Sequence, residues 1–211
     1  MDDAQARAWV EREFDVPRET MARLDAFIDL LRQENERQNL VSRASLEQVW
    51  LRHIADSAQL LRFAPSKDAS WVDLGTGAGF PGLIVAVLHN GPVTLVEERR
   101  LRVDFLHRAA ESLGAAVEIL AARAERLPPR RFDVISARAF APLDRLFQLG
   151  TGFSTGNSIW LLPKGRNAET ELAALDPSWQ GSFRLEPSLT EAGACIIVAQ
   201  EVKRRQGGKK R

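Results

Sequence analysis

Along the first seventy residues, apolar positions recur at helical spacing. Leu24, Phe27, Ile28 and Leu31 fall at i, i+3, i+4 and i+7, one apolar stripe of an amphipathic helix. Ser45 is placed to cap a second helix whose inward positions are Leu46, Val49, Trp50 and Ile54. Pro65-Ser66-Lys67-Asp68 then breaks the pattern. From Ser70 the texture changes to short β-rich runs alternating with helical ones. Ser70–Leu74, Pro92–Val96, Ala116–Leu120, Phe132–Ala137 and Ser158–Leu162 read as buried strands. Leu83–Leu88, Arg99–Leu113, Leu143–Leu149 and Glu169–Leu175 read as the helices between them. Repeated β-α units predict an α/β fold, a mostly parallel sheet covered by helices on both faces. Ser182–Glu186 and Ala194–Glu201 read as strands joined by a short linker with Pro187 and Gly193, an antiparallel hairpin closing one edge. The expected division is a helical extension over residues 1–68, an α/β domain over 69–202 and a basic tail over 203–211.

Length and composition narrow the class. The chain has 211 residues, 45% apolar and 27% charged, an ordinary soluble globular balance that excludes a fibrous or disordered chain. No apolar run approaches the ~18 residues of a membrane span. The opening MDDAQARAWVEREF lacks the basic-then-apolar pattern of a secretory leader. Cys195 is the single cysteine, so no internal disulfide and no cysteine-based zinc site can form, and a reducing cytoplasm is expected. His53, His89 and His107 lack ligand spacing, and no metal is expected.

The net charge of +1 conceals an asymmetry. Six of the 29 basic side chains lie in the last ten residues, which hold no acid, leaving 23 basic against 28 acidic groups before them. A basic tail on a mildly acidic body could engage a polyanion, or serve only as a solubilising terminus. Gly207-Gly208 implies that the tail is flexible.

The chemistry concentrates in Trp71-Val72-Asp73-Leu74-Gly75-Thr76-Gly77-Ala78-Gly79-Phe80-Pro81-Gly82, a buried strand running into alternating glycines and a helix. Glycines let a ligand approach the backbone, and an open helix N-terminus offers free amides. Gly77, Gly79 and Gly82 satisfy the dinucleotide pattern G-x-G-x-x-G, a weak signal alone. Asp73 with Gly75, Thr76, Gly77 and Gly79 is instead the glycine loop of S-adenosylmethionine (SAM) methyltransferases. There an acid can hold the cationic methionine part, whereas beside a pyrophosphate it would repel. Glu97, ending the second strand, can accept from ribose hydroxyls in either case. Little chain remains for the substrate domain of a dehydrogenase, which favours SAM.

SAM carries a reactive sulfonium, so the enzyme's task is to align a nucleophile behind the methyl group. Attack through pyrimidine C5 needs a cysteine, and Cys195 is expected in the late edge strand as a small core residue. Amine methylation commonly uses an Asn/Asp-Pro-Pro-aromatic loop, and the corresponding loop here, Ser136 to Pro142, lacks it. A lone pair such as guanine N7 carries no proton to remove and needs only positioning. Arg123, Arg138 and Lys164 follow the third, fourth and fifth strands, a positive rim suited to holding the substrate; alternatively Arg138 pairs with an acid such as Glu125 or Glu97, Arg123 is surface charge and Lys164 a turn residue.

The segments Asn39–Ser42, Arg52-His53-Ile54-Ala55-Asp56-Ser57, Val72–Gly82, Leu95-Val96-Glu97, Arg123-Ala124-Glu125, Ile135–Ala141 and Leu162–Gly165 occur together and in order. In them the chain closely resembles the bacterial small-subunit ribosomal RNA guanine-N7 methyltransferase G family, also called glucose-inhibited division protein B. The resemblance implies a class I, Rossmann-like SAM methyltransferase with N-terminal helices, methylating N7 of one guanine in 16S rRNA. By position it places Gly75, Phe80, Ala124, Glu125 and Arg138 among the SAM contacts. It also implies the small ribosomal subunit or its 16S rRNA as partner; beside it, no membrane partner, a cytoplasmic location and a monomer are expected, although the sequence carries no signal of oligomeric state. Two features depart from the family pattern: Glu98 stands where serine is frequent, and Glu34–Leu40 replaces a Trp-Asn-Lys-x-x-Asn-Leu segment. A small-molecule SAM methyltransferase, or a ribosome-assembly factor that binds SAM without turnover, remains the alternative.

His53, Asp56 and Ser57 share one helix face. A single helix cannot supply hydrolase-triad geometry, so the trio is expected to dock the N-terminal helices over the SAM pocket, with contact to substrate RNA as the alternative.

Overall fold

The computed structural model describes residues 1–205. The first element, α1 (Asp3–Glu13), starts on a reciprocal cap between Asp2 and Gln5. Helix α2 (Arg18–Gln38) carries the stripe Leu24, Phe27, Ile28 and Leu31 into the core and ends at Asn39 in the left-handed conformation. Helix α3 (Arg43–Glu47) is capped by Ser42, whose Oγ accepts from Ser45 N at 3.1 Å. The cap expected at Ser45 thus sits three residues earlier, because Ser42 is the extended residue at which the chain turns. Val49, Trp50 and Ile54 are buried, and Leu46 is half-buried. Trp50–Ala55 then forms a π-helical turn, followed by the single turn α4 (Asp56–Ala58) and a 3₁₀ turn, Gln59–Phe63.

The α/β part contains β1 (Trp71–Leu74), α5 (Gly82–Leu88), β2 (Val93–Glu97), α6 (Arg100–Leu113), β3 (Val117–Ala121), β4 (Val134–Ser136), α7 (Leu143–Gly150), β5 (Ile159–Lys164), α8 (Ala168–Ala173), β6 (Trp179–Pro187) and β7 (Cys195–Arg204). The seven-stranded sheet has the order β3-β2-β1-β4-β5-β7-β6. β1 to β5 are parallel, and β7 runs antiparallel between β5 and β6. The expected hairpin is present, but β6 rather than β7 forms the sheet edge. Cys195 accordingly lies in an inner strand, opposite Lys164, and is only partly buried.

Strand alternation divides the core into two faces. Trp71, Val93, Leu95, Leu161 and Val198 pack with the apolar stripe of α2 and with α5 and α6. Val72, Leu74, Val96, Ile135, Trp160 and Leu162 pack on the opposite face with Leu146 and Phe147 of α7. The N-terminal helices therefore share one continuous core with the sheet, reinforced by Arg108 donating to Glu34 at 2.6 Å between α6 and α2. Lys203 and Arg204, expected in the tail, pair in register with Gln180 and Trp179. Residues 206–211, with the flexibility expected of Gly207-Gly208, lie outside the described residues.

Strand order reverses between β1 and β4, the position where open α/β sheets bind ligands beyond the carboxyl ends of their strands.

Candidate functional site

The loop after β1 is shaped from within. Gly75 and Gly77 adopt φ of 68° and 59°, conformations that L side chains rarely occupy. The amides of Gly75 and Thr76 both donate to Val96 O of β2, at 2.9 and 3.1 Å, so the loop folds back on the neighbouring strand. Asp73 organises the interior. Its carboxylate accepts from Thr76 Oγ1, from Ser136 Oγ at 2.7 Å and from Gly82 N at 3.0 Å. The residue is fully buried, and that desolvation pushes its pKa up to about 6 against the lowering by its hydrogen bonds. Expected to present an oxygen to the ligand, Asp73 instead has both oxygens engaged inward and fixes the loop.

Glu97 ends β2 beside this loop. Its Oε2 accepts from Gly77 N at 3.1 Å and its Oε1 from Arg99 N at 2.9 Å, with Arg102 Nη1 3.7 Å away. A cavity of about 490 Å³ opens here, walled by Gly75, Glu97, Arg102, Ala124, Glu125 and Phe140. Ala124 is buried, whereas Glu125 reaches outward to Arg145 at 3.4 Å. Arg123 pairs with Glu98 at 2.6 Å on the outer lip, where both are half-exposed.

Phe80 and Arg138 lie deeper. The Phe80 ring is buried, stacks on His53 with centroids 4.8 Å apart, and meets Phe27 of α2 edge-on at 5.7 Å. Arg138 Cζ lies 5.2 Å from the same ring centre. Arg138 donates to His53 Nδ1 at 3.1 Å and to Arg52 O at 3.2 Å, and pairs with Asp56 Oδ2 at 3.3 Å. Asp56 also accepts from Gln59 and from Thr190. Arg138 thus joins the loop after β4 to the π turn. Two of the three polar residues on that helix face, His53 and Asp56, meet it; Ser57 turns away and donates to His53 O at 2.6 Å.

A larger cavity of about 1050 Å³ lies on the other side of the loop after β4, walled by Arg52, His53, Arg138, Phe140, Lys164 and Cys195 among others. Lys164, expected to face the substrate, is turned inward with its side chain 12% exposed. It donates to Glu171 at 2.8 Å and to Ala141 O at 3.2 Å. Arg52 pairs with Glu191 at 2.7 Å across the mouth. The expected positive rim is therefore a ring of matched ion pairs. Among the described residues no group of three or more His, Cys, Asp or Glu side chains could hold a metal ion, and no helix is long and apolar enough to cross a membrane.

Sequence reading missed Arg102 and Phe140. Arg102 stands in the first turn of α6, just beyond the end of β2, where its guanidinium comes within 3.7 Å of the Glu97 carboxylate, and a base opening the helix after the strand-end acid was the available signal. Phe140 carried none, since an aromatic in an Ala-Phe-Ala segment looks like any core residue.

A model of the family described as rRNA small subunit methyltransferase G matches residues 20–193. The chain is 48% identical to a protein of Zymomonas mobilis named Ribosomal RNA small subunit methyltransferase G, over 100% of both chains. It is 50% identical to one of the same name from Rhizorhabdus wittichii, over 100% of this chain and 98% of that one. Among solved structures, a SAM-dependent methyltransferase from Aquifex aeolicus aligns at a TM-score of 0.58 and 15% identity, covering 83% of this chain and 98% of the other. A mutant of MtNAS in complex with S-adenosylmethionine aligns at 0.57 and 14% identity, covering 92% and 83%. These structures share the class I methyltransferase fold.

Proposed function

The chain belongs to the rRNA small subunit methyltransferase G family, and on that premise we propose that it transfers the methyl group of SAM to N7 of one guanine in 16S rRNA. The observation that carries this reading is near-half identity, end to end, with relatives of that name.

In this reading SAM lies against Gly75–Phe80, with Glu97 accepting from the ribose hydroxyls and Ala124–Glu125 flanking the adenine. The cavity beside Gly75 and Glu97 supports that placement. Asp73 and Arg138 act on the pocket by bracing its walls. The N7 lone pair attacks the methyl carbon in line with the departing sulfur. The sulfonium becomes a neutral thioether and the base takes up the positive charge, so no proton moves and no general base is required. The larger cavity, open between the π turn and α8, receives the flipped-out base, as recognition of unstacked RNA bases requires. Arg123 and the basic tail hold phosphates outside it. Residues 1–68 work as a cover on the SAM-binding domain, and the protein acts as a cytoplasmic monomer on the small subunit or its RNA.

The test uses labelled SAM with 16S rRNA and with small subunits from cells lacking this gene, mapping N7-methylguanine by its chemically induced strand break. One labelled guanine supports the reading. Bound SAM with label in small molecules only, or in nothing, replaces it with a small-molecule enzyme or a silent assembly factor.

A further inference from the structure

The loop after β4 separates the two cavities. Ala139, Phe140 and Ala141 line both of them, and Phe140 is the one large side chain of the three. Its ring packs on Gly75, at the very end of β1, so closely that a Cβ there would overlap it. Yet Phe140 is 36% exposed, one of four large hydrophobic residues exposed among the described residues. Burial drives aromatic rings into cores, and an exposed ring on the partition between two cavities is aimed at something.

The backbone around it is held in place. Ala139 adopts φ of 51°, an uncommon conformation outside glycine. The preceding Arg138 is anchored to His53 and Asp56, and Ala141 O accepts from Lys164. Strain of this kind persists where surrounding contacts over-determine it. Those contacts fix Phe140 as a flat apolar plate on the wall that the two cavities share.

We propose that Phe140 is the residue that stacks the target base, presenting its N7 edge to the methyl group across the partition. This deepens the functional reading above and rests on it. Methylation at N7 converts a neutral purine into a cation. The ring face is the negative end of an aromatic quadrupole, so its attraction for the base grows as the charge develops. A contact that strengthens toward the transition state raises turnover as well as binding. The neighbouring cations do not oppose that charge unbalanced, since Arg138 and Lys164 are matched by Asp56 and Glu171.

The experiment compares the wild-type protein with Phe140→Tyr, Phe140→Leu and Phe140→Ala on small subunits lacking the modification. It reads kcat and KM for the subunit, Kd for SAM by calorimetry, and the melting temperature. Base–aromatic stacking predicts that Tyr stays within a few-fold of wild type while Leu and Ala lose about ten- to hundredfold in kcat/KM. SAM affinity and melting temperature should stay near wild type in all three. Full activity of Phe140→Leu would show that the ring only fills space and would overturn the proposal. So would a loss of SAM affinity matching the loss of activity, which would make the ring part of the SAM seat. A wild-type protein that methylates no RNA would remove the functional reading together with this one.

Discussion

Arg138 donates through Nη2 to Nδ1 of His53 at 3.1 Å, and this bond decides the state of the histidine. A guanidinium has donors and no acceptor, so Nδ1 must be the unprotonated nitrogen. The ring proton then sits on Nε2, which reaches Ser45 Oγ at 3.0 Å. Ser45 Oγ is free to accept there because its own proton goes to Ser42 O at 2.9 Å. His53 is thus a neutral ring in a directed chain from the loop after β4 to the start of α3.

The neutral state has a cost in acid. Burial, then the charges of Arg138 and Arg52, push the His53 pKa down from its usual 6.5 to about 3. Between those values the unfolded chain binds a proton that the folded chain refuses. Stability is therefore intact above pH 6.5 and declines as pH falls toward 3, by at most about 1.4 kcal/mol per pH unit from this group. Asp73, raised to about 6, works in the opposite sense between about pH 4 and 6, where its ionisation favours unfolding. Denaturation of wild type and His53→Gln from pH 7 to 4 separates the two. The difference between the curves should narrow as pH falls; a constant difference would mean that His53 titrates normally.

Arg138→Ala strips Asp56 of its cationic partner and leaves Nδ1 of His53 without a donor. Arg138 is about one-fifth exposed, and removing a partner from such a pair costs roughly 2–4 kcal/mol. Methyl transfer should fall by more than tenfold, because the loop carrying Phe140 loses one of its two anchors. Arg138→Lys should recover part of the stability and less of the activity, since an ammonium cannot serve His53, Arg52 O and Asp56 together. Wild-type SAM affinity and turnover in Arg138→Ala would take Arg138 out of the site.

What was legible in the sequence has a common physical basis. Strands β1, β2, β4 and β5 announced themselves because buried parallel strands are near-continuous apolar runs, and the glycine loop because its backbone excludes other residues; β3, expected to be buried as well, is an edge strand with exposed Glu118 and Ala121. The pairing of the cations was not legible. Arg138 meets Asp56 across 82 residues and Arg52 meets Glu191 across 139, and no local pattern matches one base to one acid over such distances. For the same reason Lys164 read as a substrate contact when Glu171, one turn into α8, turns it inward. The role of Asp73 depended on three donors converging from Thr76, Ser136 and Gly82, two of them visible only after folding. The inner position of β7 depended on which hairpin strand pairs with β5, a long-range choice that no local pattern records.

Gly75→Ala tests the loop itself. The residue sits at φ of 68°, and a methyl group there would run into the Phe140 ring. The backbone cost is about 1–2 kcal/mol, small enough for the fold to survive. Distortion of the loop backbone, rather than the shift of the ring, should weaken SAM binding by more than tenfold, measured by calorimetry on protein with unchanged circular dichroism. Normal SAM affinity would place the nucleoside elsewhere than over Gly75.

Arg123 and Lys164 were read alike from the sequence, and the structure makes them behave differently. Arg123 is about half-exposed on the outer lip, in a surface ion pair worth at most about 1 kcal/mol, so a phosphate can compete for it. Lys164 is nearly enclosed and already satisfies Glu171 and Ala141 O. Each phosphate neutralised adds close to one to the slope of log affinity against log salt, somewhat less for a single strand. Arg123→Ala should therefore lower the slope for 16S rRNA by about 0.7–0.9 and leave melting nearly unchanged. Lys164→Ala should leave the slope alone, lower the melting temperature and reduce kcat through the loop it tethers. If Lys164→Ala lowers the salt slope instead, its ammonium swings out to the RNA when the substrate binds, and the loop around Phe140 must move with it.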